Sequence, residues 1–313
     1  MADTTAAGTR LGLLNHQRPG NAPVRHTGDV TECSATPLQD VLNILCVEQI
    51  EADVFLGHHA GTQRERVFGG QIAAQALMAA AKTSPHRVPN SLHAAFLHMG
   101  DTFSPVRYHV TSLADGRNFT RRRVTAVQNN KTILEAYLSL AAARHGSVYQ
   151  IAPPTAPPPE TLERIERQLA PYADEHDGWW VRARPFDIRY VTAPPRIALD
   201  RELPTDRRNR LWIRPDGAVP EDAVLSTGLI TYLSDLTLLD PVMISTRRTS
   251  RGPGLIASLD HSIWFHRSAD LNDWILYDQT SPTCSAGRGL STGSLFNRAG
   301  DLVCTVAQEG YVR

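Results

Sequence analysis

Gly69-Gly70-Gln71-Ile72-Ala73-Ala74-Gln75-Ala76-Leu77-Met78-Ala79-Ala80-Ala81-Lys82 is the stretch on which the fold turns. It holds strong helix formers almost throughout and is apolar nearly all the way round. A helix of that kind belongs inside a core rather than on a surface. Strand-like stretches follow it at Ser91–Leu97, Pro105–Leu113, Asn118–Gln128 and Thr132–Ala141, separated by the turn signals Gly100-Asp101, Asp115-Gly116 and Asn129-Asn130. Upstream, Pro37–Leu45 reads as a short helix with proline at its start, and Cys46–Leu56 as a strand.

The same order recurs downstream. Strands at Val181–Val191 and Arg210–Arg214 lead to an apolar helix at Val224–Leu239, then to strands at Gly254–Phe265, Trp274–Gln279, Gly289–Asn297 and Asp301–Ala307. Between the halves, Pro153, Pro154, Pro157, Pro158 and Pro159 predict a semi-rigid spacer, with a charged surface helix at Glu160–Ala170. The pattern is α+β, an internal duplication in which each half wraps an antiparallel sheet round a buried helix: a double hotdog. The expected organisation is a flexible extension over 1–36, a first repeat over 37–145, a linker with a surface helix over 146–175, and a second repeat over 176–313.

The bulk numbers narrow the function classes. The chain has 313 residues, 42% of them apolar and 20% charged, as in an ordinary globular protein with a real core. The formal net charge is zero, so no global field selects nucleic acid or a membrane surface. No apolar run approaches the ~18–20 residues of a bilayer span, and no signal peptide or peroxisomal tripeptide is visible, so a cytoplasmic location is expected. Cys33, Cys46, Cys284 and Cys304 have neither C-x-x-C nor metal-like spacing. His58-His59 and His261/His266 lack a third ligand, so neither a metal nor a cofactor is expected.

Chemistry concentrates at three places: Asp235 in the second apolar helix, Ser258 in Ile256-Ala257-Ser258-Leu259-Asp260-His261, and Gln308 at the end of the last strand. A carboxylate, a hydroxyl and an amide can hold one water molecule, which predicts a hydrolase without a side-chain nucleophile. Asp235 is the expected base, because its periodic neighbours are apolar and such surroundings raise a carboxyl pKa. Gly70 and Gln71, at the first turn of the buried helix, are the expected oxyanion donors. His93, at a place similar to that of His261 in the other half, joins them as a candidate substrate contact, although both histidines also read as core residues bonded to backbone. Gly289-Leu290-Ser291-Thr292-Gly293 matches G-x-S-x-G, but no helix can follow it and no histidine lies beyond His266, so the match is accidental. Of Arg121-Arg122-Arg123, at most two can share a strand face; they fit either phosphate binding or a solvated edge.

Val67-Phe68-Gly69-Gly70-Gln71, Phe96-Leu97-x-x-Gly100-Asp101, Ser234-Asp235-Leu236, Asp260-His261-Ser262-x-Trp264-Phe265-His266-Arg267 and Val306-Ala307-Gln308-Glu309-Gly310 together resemble the acyl-CoA thioesterase II family over about residues 37–313. The resemblance implies a double-hotdog enzyme that hydrolyses fatty acyl-CoA to free fatty acid and CoA, in fatty acid metabolism. It also implies a water oriented by Asp235, Ser258 and Gln308, and assembly as a homodimer or homotetramer. Two departures from the family stand out: Ser258 stands where many relatives carry Thr, and His98-Met99 where many carry Arg-Pro. The alternatives are a hotdog acyl-thioester hydratase or dehydratase, whose Asp/His signature is not found here, and a non-catalytic acyl-CoA-binding module.

Overall fold

The computed structural model describes residues 36–59, 66–142, 146–204, 207–251 and 256–313. Apart from Thr36, the extension expected over 1–36 lies outside them. Thr36 belongs to the first helix, α1 (Pro37–Leu45): its Oγ1 caps the helix by accepting the Gln39 N–H. The stretch expected as one strand at Cys46–Leu56 is a hairpin of β1 (Glu48–Glu51) and β2 (Val54–Gly57), turning through Ala52-Asp53.

The central helix α2 (Gly69–Lys82) buries Ile72, Leu77 and all its alanines, as its composition requires. Four strands complete the first half: β3 (Val88–Phe96), β4 (Val106–Asp115), β5 (Phe119–Gln128) and β6 (Lys131–Ala141). Asn129 and Asn130 turn β5 into β6 with φ of 49° and 60°, the left-handed pair that a two-residue hairpin of this hand requires.

The proline-rich crossing is a strap laid along the second half rather than a spacer. Gln150 donates to the Gly300 carbonyl and accepts the Leu302 N–H, Arg210 reaches the Thr155 carbonyl, and Trp212 Nε1 donates to the Pro157 carbonyl. The expected surface helix at Glu160–Ala170 shrinks to α3 (Ile165–Gln168) between single turns, because Ile165 and Leu169 are drawn into the core. The strand expected at Val181–Val191 is likewise only β7 (Phe186–Tyr190).

After β7 come α4 (Pro195–Asp200) and β8 (Arg208–Pro215). The helix expected over Val224–Leu239 is two, α5 (Ala223–Ser234) and α6 (Asp240–Ser245). Pro241 cannot continue a helix, and the Tyr277 hydroxyl captures the terminal Ser234 carbonyl at 2.8 Å. The strands β9 (Ile256–Ser258), β10 (Asp260–Phe265), β11 (Ile275–Ser285), β12 (Arg288–Asn297) and β13 (Leu302–Val312) close the chain.

The strands form one antiparallel sheet in the order β1-β2-β4-β5-β6-β3-β10-β13-β12-β11-β8-β7, with β9 on β13. The halves join through β3 and β10, and α2 packs on α5, where a Cβ on Gly228 would stand 2.8 Å from Met78 Sδ. This is the double hotdog. The fully buried tyrosines Tyr108 and Tyr277 occupy matching places on β4 and β11. Counting outward from them through the cross-strand registers pairs Leu92 with His261, Leu138 with Gln308 and Arg122 with Ser291.

Candidate active site

Asp235 is the residue that ends α5, not one inside a helix. Because the chain leaves the helix there, the carboxylate sits at the junction of α5, the first turn of α2 and the sheet. A Cβ on Gly69 would lie 3.0 Å from Asp235 Oδ2 and one on Gly70 2.8 Å from the Tyr232 carbonyl oxygen, so the glycine pair lets the two helices approach this closely. From the sheet side, Gln308 on β13 donates its Nε2–H to Asp235 Oδ1 at 2.7 Å and also to Ser258 Oγ on β9. The Ser258 hydroxyl and the Gly70 N–H complete the carboxylate's partners. The structure therefore brings Asp235, Ser258 and Gln308 into one hydrogen-bonded cluster.

Burial pushes the Asp235 carboxyl above the usual carboxylate range, and the nearby His261 ring together with the donors from Gln308, Gly70 and Ser258 only partly offsets it. Asp235 and Ser258 open onto a cavity of about 780 Å³. Its walls include the apolar side chains of Ile72, Phe96, Ile133, Leu236, Leu239 and Met243, with Arg66, Trp179 and Arg251 also on its lining. Arg251 lies flat on the Trp179 ring, 3.4 Å from its centroid.

The remaining candidates fall differently. Gly70 directs its N–H at Asp235 and Gln71 donates its own to the Phe68 carbonyl, so both amides are engaged; of the two glycines, Gly69 lines the cavity. The Gln71 side chain meets the His58 carbonyl and the His59 ring. His93 is on the outer face of the sheet, exposed, with its Nδ1 3.2 Å from Ser262 Oγ and its ring against Trp264. It matches Ser262, not His261: in a strand, an offset of one residue exchanges the faces. His261 points inward and is fully buried, but its partners are the side chains of Gln308 and Ser234 rather than backbone.

Ser291 is fully buried within β12, with strand on both sides and no helix after it, so the nucleophile elbow is absent. It does stand directly across from Gln308, which its motif did not suggest. Arg122 points into the first half and is buried, pairing with Asp115 at 2.8 Å and donating to Thr83 Oγ1. His98, its Nδ1 tied to the Thr132 carbonyl, and Met99 line the cavity. Among the described residues no cluster of His, Cys, Asp or Glu is arranged for a metal, and no helix is long and apolar enough to cross a membrane.

Two hotdog layers with one carboxylate-bearing cavity beside their packed helices have the frame of a hotdog thioester hydrolase. Comparison with known proteins agrees over most of the chain. Residues 58–141 match the acyl-CoA thioesterase N-terminal domain and residues 184–311 match acyl-CoA thioesterase. The chain is 32% identical over 287 residues to acyl-CoA thioesterase 2 of Haemophilus influenzae, covering 88% of this chain and 98% of that protein. It is 33% identical over 286 residues to acyl-coenzyme A thioesterase 8 of Homo sapiens, covering 87% and 88%. Among solved structures, a tesB protein of Mycobacterium avium subs paratuberculosis is similar with a TM-score of 0.74 at 38% identity, covering 88% of this chain and 99% of that one. Acyl-CoA thioesterase II TesB2 of Mycobacterium marinum is similar with a TM-score of 0.71 at 34% identity, covering 87% and 96%. The chain belongs to the acyl-CoA thioesterase family.

Proposed function

We propose that the protein hydrolyses fatty acyl-CoA to free fatty acid and CoA with a water held by Asp235, Ser258 and Gln308. The observation that carries this is the Gln308 amide, which bridges the Asp235 carboxylate and the Ser258 hydroxyl where those two residues line the cavity. Asp235 takes a proton from the water as its oxygen attacks the thioester carbonyl. The tetrahedral oxyanion collapses, the C–S bond breaks, and the leaving thiolate receives the proton from Asp235. A positioned base of this kind contributes on the order of 10²–10⁴-fold.

For the oxyanion we infer the first turn of α2, with the Gly69 amide in place of Gly70 and Gln71. As the first residue of the helix, Gly69 has no partner for its N–H within the helix, and it lines the cavity. The apolar wall suits a fatty acyl chain. Arg251, held flat on Trp179, offers a guanidinium to the phosphates of CoA. Homo-oligomeric assembly belongs to the same proposal, supported by Tyr137 and Trp264, exposed on the outer face of the sheet; so does a cytoplasmic setting.

The test is release of free thiol from an acyl-CoA length series, followed with a thiol-trapping reagent. Turnover that releases thiol supports hydrolysis. A changed enoyl absorbance without thiol would favour hydration, and tight binding without turnover a non-catalytic module.

A further inference from the structure

Asp235 and Ser234 are neighbours in the chain, yet they are also bridged through two other strands. Gln308 on β13 holds Asp235, and His261 on β10 holds Gln308 and Ser234: Nδ1 lies 3.1 Å from Gln308 Oε1 and Nε2 lies 2.9 Å from Ser234 Oγ. Ser234, His261 and Gln308 are all buried to within about one per cent. We propose that His261 is a positioning residue for the hydrolysis, whose Nδ1–H holds the Gln308 amide so that its NH₂ faces Asp235 and Ser258. This rests on the reading of the site given above.

With His261 neutral, the polarity of each group leaves one consistent arrangement. An ionised carboxylate only accepts, so the nitrogen of Gln308 must face Asp235. The amide oxygen is then turned toward His261, and since it too only accepts, Nδ1 must carry the proton. A neutral imidazole has a single N–H, so Nε2 presents its lone pair and takes the Ser234 hydroxyl proton, which otherwise goes to the Thr231 carbonyl at 3.0 Å. Were the amide to turn over, its oxygen would meet the carboxylate and its NH₂ would meet the Nδ1–H. Both ends would lose their bonds in a buried place, where no water takes their part.

The fold itself does not ask for a histidine here. The matching position in the first half is Leu92, fully buried, and the one matching Gln308 is Leu138. Where the polar pair is absent, the same strands pack with leucine. His261 is therefore retained for what it does to Gln308.

His261→Leu should lower kcat by about 10-fold or more, with KM within about twofold and a melting temperature near that of the unsubstituted protein. His261→Asn should recover most of kcat, because its amide N–H falls near the place of Nδ1. In a Gln308→Leu background, His261→Leu should cost nothing further. In the unsubstituted protein, residue-assigned nitrogen-15 histidine NMR should find His261, like His98 on the Thr132 carbonyl, in the less common Nδ1–H tautomer, a readout that needs no variant to fold. Wild-type kcat in His261→Leu, equal losses in the Asn and Leu variants, or an Nε2–H tautomer at His261 would each overturn the inference. Asp235→Asn is measured alongside. If it is impaired while His261→Leu is not, only the positioning role fails; if it keeps full kcat, the site reading itself fails.

Discussion

In the role proposed for it, Asp235 is a base only when ionised, and burial raises the pH at which that happens. Activity should therefore climb with pH through a limb lying above the ordinary range of an aspartate, since the deprotonated form is the active one. Removing the Gln308 donor leaves the carboxylate less stabilised, so Gln308→Leu should move that limb higher still as well as lowering kcat; a limb that stays put would detach Gln308 from Asp235. Asp235→Asn keeps the shape without the basicity, and kcat should fall by roughly 10²-fold or more with little change in KM. The serines separate by position. Ser258→Ala should weaken catalysis, Ser258→Thr should keep most of it, and Ser291→Ala should leave it nearly intact although Ser291 faces Gln308. The Ser291 hydroxyl is buried without a partner, so its loss removes no bond. An acyl group trapped on either serine, seen by mass after rapid quench, would replace the water mechanism by covalent catalysis.

At the scale of elements, the break between α5 and α6 creates two carboxylates of different fate. Asp235 lines the cavity, while Asp240 at the start of α6 is buried, accepting from the Tyr190 hydroxyl at 2.6 Å and from Asn209 at 3.1 Å. Burial pushes its carboxyl up to about 7 against those two bonds. The folded chain thus holds this proton more tightly than the unfolded chain, whose aspartates titrate near ~3.9. Stability from Asp240 is then full below that value and is lost as pH rises toward 7, by something on the order of 4 kcal/mol. Asp240→Asn removes the titration, so the variant's melting temperature relative to the unsubstituted protein should rise from about pH 5 to about pH 8; a constant difference would refute it. This break was hard to see in advance. Leu225, Leu229, Tyr232, Leu233 and Leu236 keep the helical period across it, and the informative residue was Pro241, which closes a helix only from several positions downstream. α2 was legible because every side of it is apolar. The β1–β2 hairpin was not, because Ala52-Asp53 carries no glycine or asparagine. His93 was misplaced by one residue of register, and the role of His261 was hidden because its partners lie 27 and 47 residues away.

For the whole molecule, the two halves share a sheet through β3–β10 and a helix interface through α2–α5, and one apolar core includes residues from both. Separately expressed halves should be insoluble or unfolded, because each would expose an edge strand and one side of its helix. Two soluble, cooperatively melting halves would mean independent domains. The proline-rich strap belongs with the second half, so that half expressed without residues 146–158 should fare worse still.

The matching of the halves also bears on how many sites of the proposed kind one polypeptide can host. Each half ends its long helix against the sheet, at Asp235 in one and at Thr83 in the other. Around Thr83 the places of His261, Gln308 and Ser291 are taken by Leu92, Leu138 and Arg122, and the Arg122–Asp115 pair fills the space with a bond. A pair of identical single hotdogs would be bound by symmetry to two equal seams. Two repeats in one chain are free of that constraint: one seam carries the Arg122–Asp115 fastening and the other the polar cluster of Asp235 and Gln308. A tight-binding inhibitor of the enzyme should accordingly saturate at one equivalent per chain, and no single substitution at Thr83 should bring that number to two.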